Sequence, residues 1–294
     1  MEAWRAVARV LRSPLDAVSC AVFPSHCRLC NEPLLHFSRT PVCAACWRNL
    51  HEQPNSNLCT VCGEQLGWGD LRFSTNSTPE NQATLSLCHV CERARPTFEQ
   101  AVAYGVYEST LRALIHLLKY EYVPTVAVPL GALLAESIDH FAHLPDNLTV
   151  VAVPLHAAKE RERGFNQTIL LAEHTARALR KKRPQLDLRL ALRALGRQRG
   201  TESQSGLTPH QRRRNLRGAF FVAKPELVRG HSILLLDDIY TTGATARECT
   251  QTLLRAGAAT VHVATLARSQ REGVAFWNPA AVGTIATGRT VGMN

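Results

Sequence analysis

The sequence predicts an α/β protein in which a mostly parallel, Rossmann-like sheet follows a small cysteine-rich module. Two patterns indicate the sheet: residues 148–154 and 233–236 are strand-like and mainly apolar, and each leads into a polar loop and a helical pattern. Strands that are apolar on both sides are typical of parallel sheets covered by helices on both faces. Four Cys-x-x-Cys pairs between Cys27 and Cys91 indicate the module.

The first 22 residues carry Arg5, Arg9 and Arg12 among apolar positions, which is unlike a secretory signal. We interpret residues 1–22 as a short amphipathic helix. No uninterrupted apolar run in the 294 residues approaches the roughly 18 residues of a membrane span. The sequence therefore predicts a cytoplasmic protein of one or two domains without a membrane span.

The next part of the chain holds eight of the ten cysteines. Two thiolates separated by two residues can face one ion, so each pair supplies half of a tetrahedral four-thiolate site. The pairs are Cys27/Cys30, Cys43/Cys46, Cys59/Cys62 and Cys88/Cys91. Residues 23–96 are therefore predicted to form a double zinc-ribbon domain with two structural zinc ions. The pairing can be sequential or cross-braced, and a disulfide framework would require an oxidising compartment.

Within this module, residues 67–82 are polar and turn-rich, which indicates a loop inserted in the second ribbon. The two unpaired cysteines, Cys20 and Cys249, are interpreted as small buried residues.

The chain then alternates strand and helix patterns, which predicts one α/β domain over residues 97–270. The predicted strands are 98–107, 148–154, 219–223, 233–236 and 261–267, and the predicted helices are 110–119, 126–140, 168–181 and 244–256. Gly257 is placed to end the last helix. Residues 271–294 show no periodicity and are predicted to be a disordered tail.

The most informative stretch is residues 233–245, a strand pattern followed by Asp237, Asp238 and a small-residue loop that starts a helix. A helix N-terminus offers free N–H groups and the positive dipole end, which suits a phosphate. Carboxylates at the strand end can accept hydrogen bonds from sugar hydroxyls. The stretch therefore indicates a site for a phosphorylated sugar; the alternative is a capped turn with solvated acids.

A second polar segment, residues 155–167, also follows a predicted strand and precedes a helix. Arg161 and Arg163 are suited to bidentate contacts with pyrophosphate oxygens, and Lys159 to a point charge. The alternative is a charged helix start whose Glu and Arg side chains pair with each other.

Positive charge is concentrated near this segment: residues 159–217 contain 16 Lys and Arg against 5 Asp and Glu, in a chain of formal net charge +10. Such an excess fits nucleic acid and a phosphate-rich small ligand equally. Two zinc ions held by eight thiolates would lower the formal charge.

These motifs resemble two nested families. The strand, Asp-Asp and Thr-Thr-Gly-x-Thr of residues 233–245 resemble the signature of type I phosphoribosyltransferases. Arg-Glu-Arg-Gly-Phe-Asn-Gln at 161–167, the Cys-x-x-Cys ribbons, Lys119-Tyr120 and the polar stretches 199–204 and 207–220 resemble the ComF family. Members of that family are regarded as amidophosphoribosyltransferase-like proteins linked to competence and the use of external DNA. The resemblance implies a type I phosphoribosyltransferase fold.

The resemblance also implies phosphoribosyl pyrophosphate as the ligand, with Mg²⁺. Asp237, Asp238 and Arg163 then take the catalytic positions, and the region 196–217 becomes a loop that closes over the ligand. The implied substrate-binding residues are Thr241, Thr242, Gly243, Ala244, Thr245, Lys159, Arg161, Asn166, Gln204 and Arg212. DNA and DNA-uptake or helicase proteins become candidate partners.

Two departures leave the acceptor open. Several purine-salvage relatives have an aspartate base where this chain has Thr241, and the chain does not open with the cysteine nucleophile of a glutamine amidotransferase. A non-catalytic alternative also stands: a nucleic-acid-handling or regulatory protein that uses the fold to bind a phosphoribosyl ligand or single-stranded DNA. The low aromatic content, 6%, gives that alternative little support.

Overall fold

The computed structural model describes residues 25–34, 39–50, 57–67, 86–198 and 216–270. Several sequence predictions fall outside these ranges. They are the N-terminal helix, Cys20, nearly all of the inserted loop, the loop with Gln204 and Arg212, and the C-terminal tail. No helix among the described residues has both the length and the apolar character needed to cross a bilayer.

A five-stranded, fully parallel sheet forms the centre of the fold, in the order β1-β7-β6-β2-β3. A separate antiparallel hairpin pairs β4 with β5. The strands are β1 (Ala101–Val106), β2 (Asn147–Ala152), β3 (Asp187–Leu190), β4 (Leu195–Arg197), β5 (Phe220–Val222), β6 (Ser232–Tyr240) and β7 (Thr260–Arg268). The prediction of an α/β fold with a parallel sheet is confirmed.

Helices cover the sheet on both faces. The helices of the described residues are α1 (Ala44–Arg48), α2 (His89–Arg93), α3 (Ser109–Tyr120), α4 (Ala127–Ser137), α5 (Ala157–Arg163), α6 (Gln167–Lys182) and α7 (Ala244–Arg255), with 3-10 turns at Pro124–Val126, Ile138–His140 and Pro225–Leu227. In α3 the apolar residues recur at helical spacing, and Leu114, Ile115 and Leu118 are fully buried. Gly257 follows the end of α7 with φ +96°, as predicted for a helix terminus.

The sheet separates two hydrophobic cores. On one face α3, α4 and α6 pack on alternate residues of β6, Leu234 and Leu236. On the other face α7, the hairpin and the second half of the cysteine-rich module surround Ile233 and Leu235. Both faces of β6 are therefore buried, which explains its continuous apolar run.

Strands β3 and β4 were not predicted, and three further elements differ from the predictions. Strand β6 continues through both acids to Tyr240, because β7 extends equally far and pairs with it. Residues 157–163 form a helix rather than a loop, since His156 Nδ1 caps the N–H of Ala158 and Gly164 ends the helix at φ +76°. The strand predicted at 219–223 lies in the hairpin, outside the main sheet.

Candidate functional site

The loop from β6 into α7 forms a pocket lined by Thr241, Gly243, Ala244 and Thr245 together with Asp237. Gly243 occupies the N-cap position of α7 with φ +74°, and no side chain caps the helix. A Cβ at Gly243 would lie 2.1 Å from the Tyr240 hydroxyl oxygen, so only glycine fits there. The helix therefore presents uncapped N–H groups to the pocket.

Thr242, in the same loop, has a buried hydroxyl oxygen without a hydrogen-bond partner among the described residues. Buried polar atoms are nearly always satisfied, so an orphan of this kind calls for a specific reason. Thr242 is not among the residues that line the pocket, so a contact between its hydroxyl and a ligand stays a prediction.

The two acids of β6 have different surroundings. Asp237 lines the pocket on the α7 side, and its Oδ1 accepts a hydrogen bond of 2.8 Å from the N–H of Asp238. Burial, assisted by the charge of Asp238, raises the pKa of the Asp237 carboxyl to about 7 from an ordinary value of 3.8. Asp237 therefore changes charge near neutral pH.

Asp238 is only 5% exposed and points to the helices of the opposite face. Its Oδ1 accepts from Lys119 Nζ of α3 at 2.7 Å, and its Oδ2 accepts from Gln167 Nε2 of α6 at 2.8 Å. Burial would lower the pKa of the Lys119 ammonium, but the charge and the hydrogen bond of Asp238, together with the charge of Asp237, outweigh burial and raise it. Asp238 is thus held in place by an ion pair with Lys119 and a hydrogen bond from Gln167.

The segment of residues 155–167, called the basic segment below, contributes one arginine to the hydrogen bonds around Asp238. Arg163 donates to Gln167 Oε1 at 2.5 Å, and its guanidinium carbon lies 5.3 Å from the centre of the Tyr120 ring. Lys159 and Arg161 are exposed. Of the acids in the segment, Glu160 pairs with Arg193 outside it, at 3.0 Å.

Asn166 acts as a helix cap in the structure. Its Oδ1 accepts from the N–H groups of Thr168 and Ile169, at 2.9 and 3.4 Å, at the start of α6. The side chain is buried, so a contact between Asn166 and a ligand stays a prediction.

The first cysteine group gathers Cys27, Cys30, Cys43 and Cys46, whose sulfurs all lie within 4.8 Å of one another. The Cys27–Cys46 and Cys30–Cys43 sulfur pairs are 3.8 and 3.6 Å apart. Four thiolates bound to zinc at about 2.3 Å would be separated by about 3.8 Å. The Cys27 and Cys43 sulfurs each accept a backbone N–H as well.

The second cysteine group gathers Cys59, Cys62, Cys88 and Cys91, all of them buried. Arg268, at the end of β7, donates to the Cys62 carbonyl at 2.6 Å and to its sulfur at 3.4 Å. The same guanidinium lies 4.3 Å from the centre of the Tyr240 ring. The second group therefore contacts the strand end that carries the pocket.

The two groups combine consecutive Cys-x-x-Cys pairs, which resolves the alternative left open by the sequence in favour of sequential pairing. All eight cysteines are free thiols. Each group can hold one metal ion, and four soft sulfur ligands in this arrangement are typical of zinc.

Sequence reasoning identified the loop and the cysteines but did not assign a site role to Lys119, Gln167 or Arg268. Lys119 and Gln167 belong to motifs that were noted for their resemblance alone. A buried lysine cannot be recognised from sequence, because its partner Asp238 lies 119 positions away.

Comparison with known proteins gives a consistent result. A family model described as "Phosphoribosyl transferase domain" matches residues 167–284. DNA utilization protein YhgH of Escherichia coli strain K12 is 32% identical over 251 residues, which make up 84% of this chain and 98% of that protein. A match over 251 residues is longer than the segment 97–294, so it includes part of the cysteine-rich module.

Two further relatives carry names that refer to competence. Competence protein F of Haemophilus influenzae is 29% identical over 234 residues, 77% of this chain and 96% of that protein. Competence protein ComFC of Bacillus subtilis strain 168 is 27% identical over 237 residues, 78% of this chain and 84% of that protein.

Proposed function

The chain belongs to the ComF family of phosphoribosyltransferase-like proteins, and on this premise we propose that it binds phosphoribosyl pyrophosphate with Mg²⁺. We further propose that it transfers the phosphoribosyl group to a nitrogen acceptor. The observation that carries the proposal is the uncapped N-terminus of α7 beside the orphan hydroxyl of Thr242. N–H groups and a hydroxyl donor match the 5-phosphate of such a ligand.

The acids and the basic segment provide for the rest of the ligand. Asp237 and Asp238 accept hydrogen bonds from the ribose hydroxyls, and Arg163, Arg161 and Lys159 bind the pyrophosphate oxygens. Mg²⁺ is a hard cation that prefers oxygen ligands and would neutralise charge on the pyrophosphate.

In the transfer, the nitrogen lone pair of the acceptor forms a bond to ribose C1 while the bond from C1 to the pyrophosphate oxygen breaks. Pyrophosphate leaves with the bonding electrons, and the nitrogen loses a proton. The protein contributes positioning and electrostatic stabilisation, so no covalent nucleophile is required.

The cysteine groups are assigned to zinc with a structural role. Four thiolates leave no open coordination position for a substrate. Reduced thiols are maintained in the cytoplasm, so the same assignment favours a cytoplasmic protein.

Isothermal titration with phosphoribosyl pyrophosphate, with and without Mg²⁺, tests the proposal on zinc-loaded protein. We expect micromolar, Mg²⁺-dependent binding that weakens about tenfold in Thr242→Val, because one hydrogen bond to a charged group is lost. Thr250→Val is the matched control, since Thr250 is also buried with an orphan hydroxyl but lies in the middle of α7. Absence of wild-type binding at millimolar ligand would rule the proposal out.

A second candidate function is the handling of nucleic acid. The relatives' names refer to DNA utilization and competence. In addition, Lys159 and Arg161 are exposed, and so are the rings of Tyr120 and Tyr122. Aromatic and basic side chains together bind single strands. Binding of a labelled single-stranded oligonucleotide should then fall linearly with the logarithm of salt concentration. Retained affinity in Tyr120→Ala together with Arg161→Ala would contradict this candidate.

A further inference from the structure

The buried network around Asp238 joins the two parts of the proposed ligand site. Asp238 belongs to the ribose side, Arg163 belongs to the pyrophosphate side, and Gln167 contacts both. Lys119 holds Asp238 from the opposite direction. None of the function proposed above requires Lys119 or Gln167 to touch the ligand.

The ion pair between Lys119 and Asp238 is not explained by stability alone. Their side chains are 16% and 7% exposed. Withdrawing two charges from water costs about as much as their attraction returns, so a buried pair is weak support for a fold. What the pair does provide is orientation, because a carboxylate with one donor on each oxygen cannot rotate. Each oxygen keeps a further lone pair for a sugar hydroxyl.

The orientation of the Gln167 amide is dictated by its neighbours. A guanidinium can only donate and a carboxylate can only accept. The amide oxygen must therefore face Arg163 and the amide nitrogen must face Asp238. Turning the amide over would break both hydrogen bonds, so a single arrangement links the two charged groups.

The end of α3 supports this link at two points. Lys119 contacts Asp238, and the next residue, Tyr120, places its ring against the Arg163 guanidinium. Two consecutive side chains thus hold the two ends of the chain Asp238–Gln167–Arg163.

We infer that Lys119 and Gln167 are positioning residues, which present Asp238 and Arg163 to the ribose and the pyrophosphate as one rigid unit. The inference rests on the proposed function and adds two residues that act through others. Lys119 works through Asp238, and Gln167 works through both Asp238 and Arg163.

A double-mutant cycle tests this inference, with Mg²⁺ and phosphoribosyl pyrophosphate as the probe in isothermal titration. Lys119→Met and Asp238→Asn are each expected to weaken binding about tenfold or more, while the double variant binds no more weakly than Asp238→Asn. Lys119→Arg keeps a cation facing Asp238 and should retain most of the affinity. Lys182→Met, which removes an exposed ion pair to Asp139, is the control and should bind as the wild type does.

Removing one charge of a buried pair can prevent folding, so the uncharged Gln167→Met provides an independent arm. It should weaken binding about tenfold alone and should add nothing in an Asp238→Asn and Arg163→Met background. Losses that multiply in either cycle would overturn the inference while leaving the proposed function intact. Failure of the wild type to bind the probe would instead overturn the proposed function and, with it, this inference.

Discussion

The two cysteine groups have the same ligands but different relations to the rest of the protein. In the first group Cys30 is exposed and Cys43 half-buried, whereas all four cysteines of the second group are buried. The first group joins the core beneath α3 and α4 through neighbours such as Leu34 and Val42. The second group lies on the opposite face of the sheet, against β1, β6 and β7. The two groups therefore share the same ligands, but the first group packs against the helices on one face, whereas the second group packs against the sheet itself.

The second group is connected to the sheet by backbone as well as side-chain hydrogen bonds. The N–H of Ala101, the first residue of β1, donates to the carbonyl of Val61 at 2.7 Å. Arg268 ends β7 against Cys62 and also contacts Glu64 at 3.3 Å. Through the Tyr240 ring this arrangement reaches Gly243 and the pocket. Loss of the second metal should therefore disturb the candidate site, and loss of the first should not.

The largest expected effect comes from removing one ligand of each group. Cys88→Ser should abolish zinc binding at the buried second group. It should also leave little folded protein, because a structural zinc site contributes about 10 kcal/mol in small domains. Cys30→Ser removes an exposed ligand and should leave a protein that folds and still binds phosphoribosyl pyrophosphate. Metal analysis gives the zinc content of each variant, and unfolding monitored by circular dichroism gives its stability. Equal damage from the two substitutions would remove the distinction.

Arg268→Met should give the next largest effect. Four thiolates and one zinc ion carry a net negative charge, and in the second group the buried Arg268 faces it. Burial lowers the pKa of this guanidinium, but the Cys62 thiolate, Tyr240 and Glu64 outweigh burial and raise it. Loss of the cation should lower the free energy of unfolding by about 3–5 kcal/mol in urea denaturation.

Arg189→Met is the matched control, because Arg189 is 64% exposed and pairs with Asp187 at 3.8 Å. Its free energy of unfolding should lie within about 1 kcal/mol of the wild-type value. Similar losses for the two arginines would mean that Arg268 is not balancing the charge of the second group.

A smaller effect is expected where the second group contacts β1. Gly63 has φ +67°, and a Cβ there would lie 2.9 Å from the carbonyl oxygen of Ala101. Gly63→Ala should cost about 2–3 kcal/mol, since both the left-handed conformation and the contact oppose a side chain. Gly230 has φ +76° with open space around its Cβ position, so Gly230→Ala should cost only about 1 kcal/mol. Thermal unfolding of the two variants separates the contact from the backbone strain.

The sequence was sufficient for the central strands of the sheet, the loop between β6 and α7 and the positions of the grouped cysteines, because each depends on local spacing or on an apolar run. It was insufficient for residues whose role depends on distant partners. Cys62 and Arg268 are 206 positions apart, and nothing near Arg268 indicates a thiolate neighbour. A helix start near residues 157–163 was considered only as the alternative to a loop, because its cap, His156, is an uncommon capping residue. Strand β3 was missed because only Leu188 among its four residues is buried.

The last effect depends on pH and concerns the two acids, which the sheet separates as it separates the cysteine groups. Asp237 faces α7, on the side of the second group, and has a pKa raised to about 7, while Asp238 is held by Lys119 on the other side. Below pH 3.8 the Asp237 carboxyl is protonated in both the folded and the unfolded chain. Between that value and about 7 the folded protein keeps a proton that the unfolded chain releases, so the free energy of unfolding falls as pH rises.

Asp237→Asn cannot release a proton and should remove this fall, so the stability difference between variant and wild type should widen in favour of the variant from pH 4 to about 7. Urea denaturation at intervals of pH measures it. Asp187→Asn alters an acid that is 61% exposed and should follow the wild-type curve. Parallel curves for Asp237→Asn and the wild type would mean that Asp237 is ionised like a surface acid. Asp237 and Asp238 would then no longer be distinguished by the face of the sheet on which each lies.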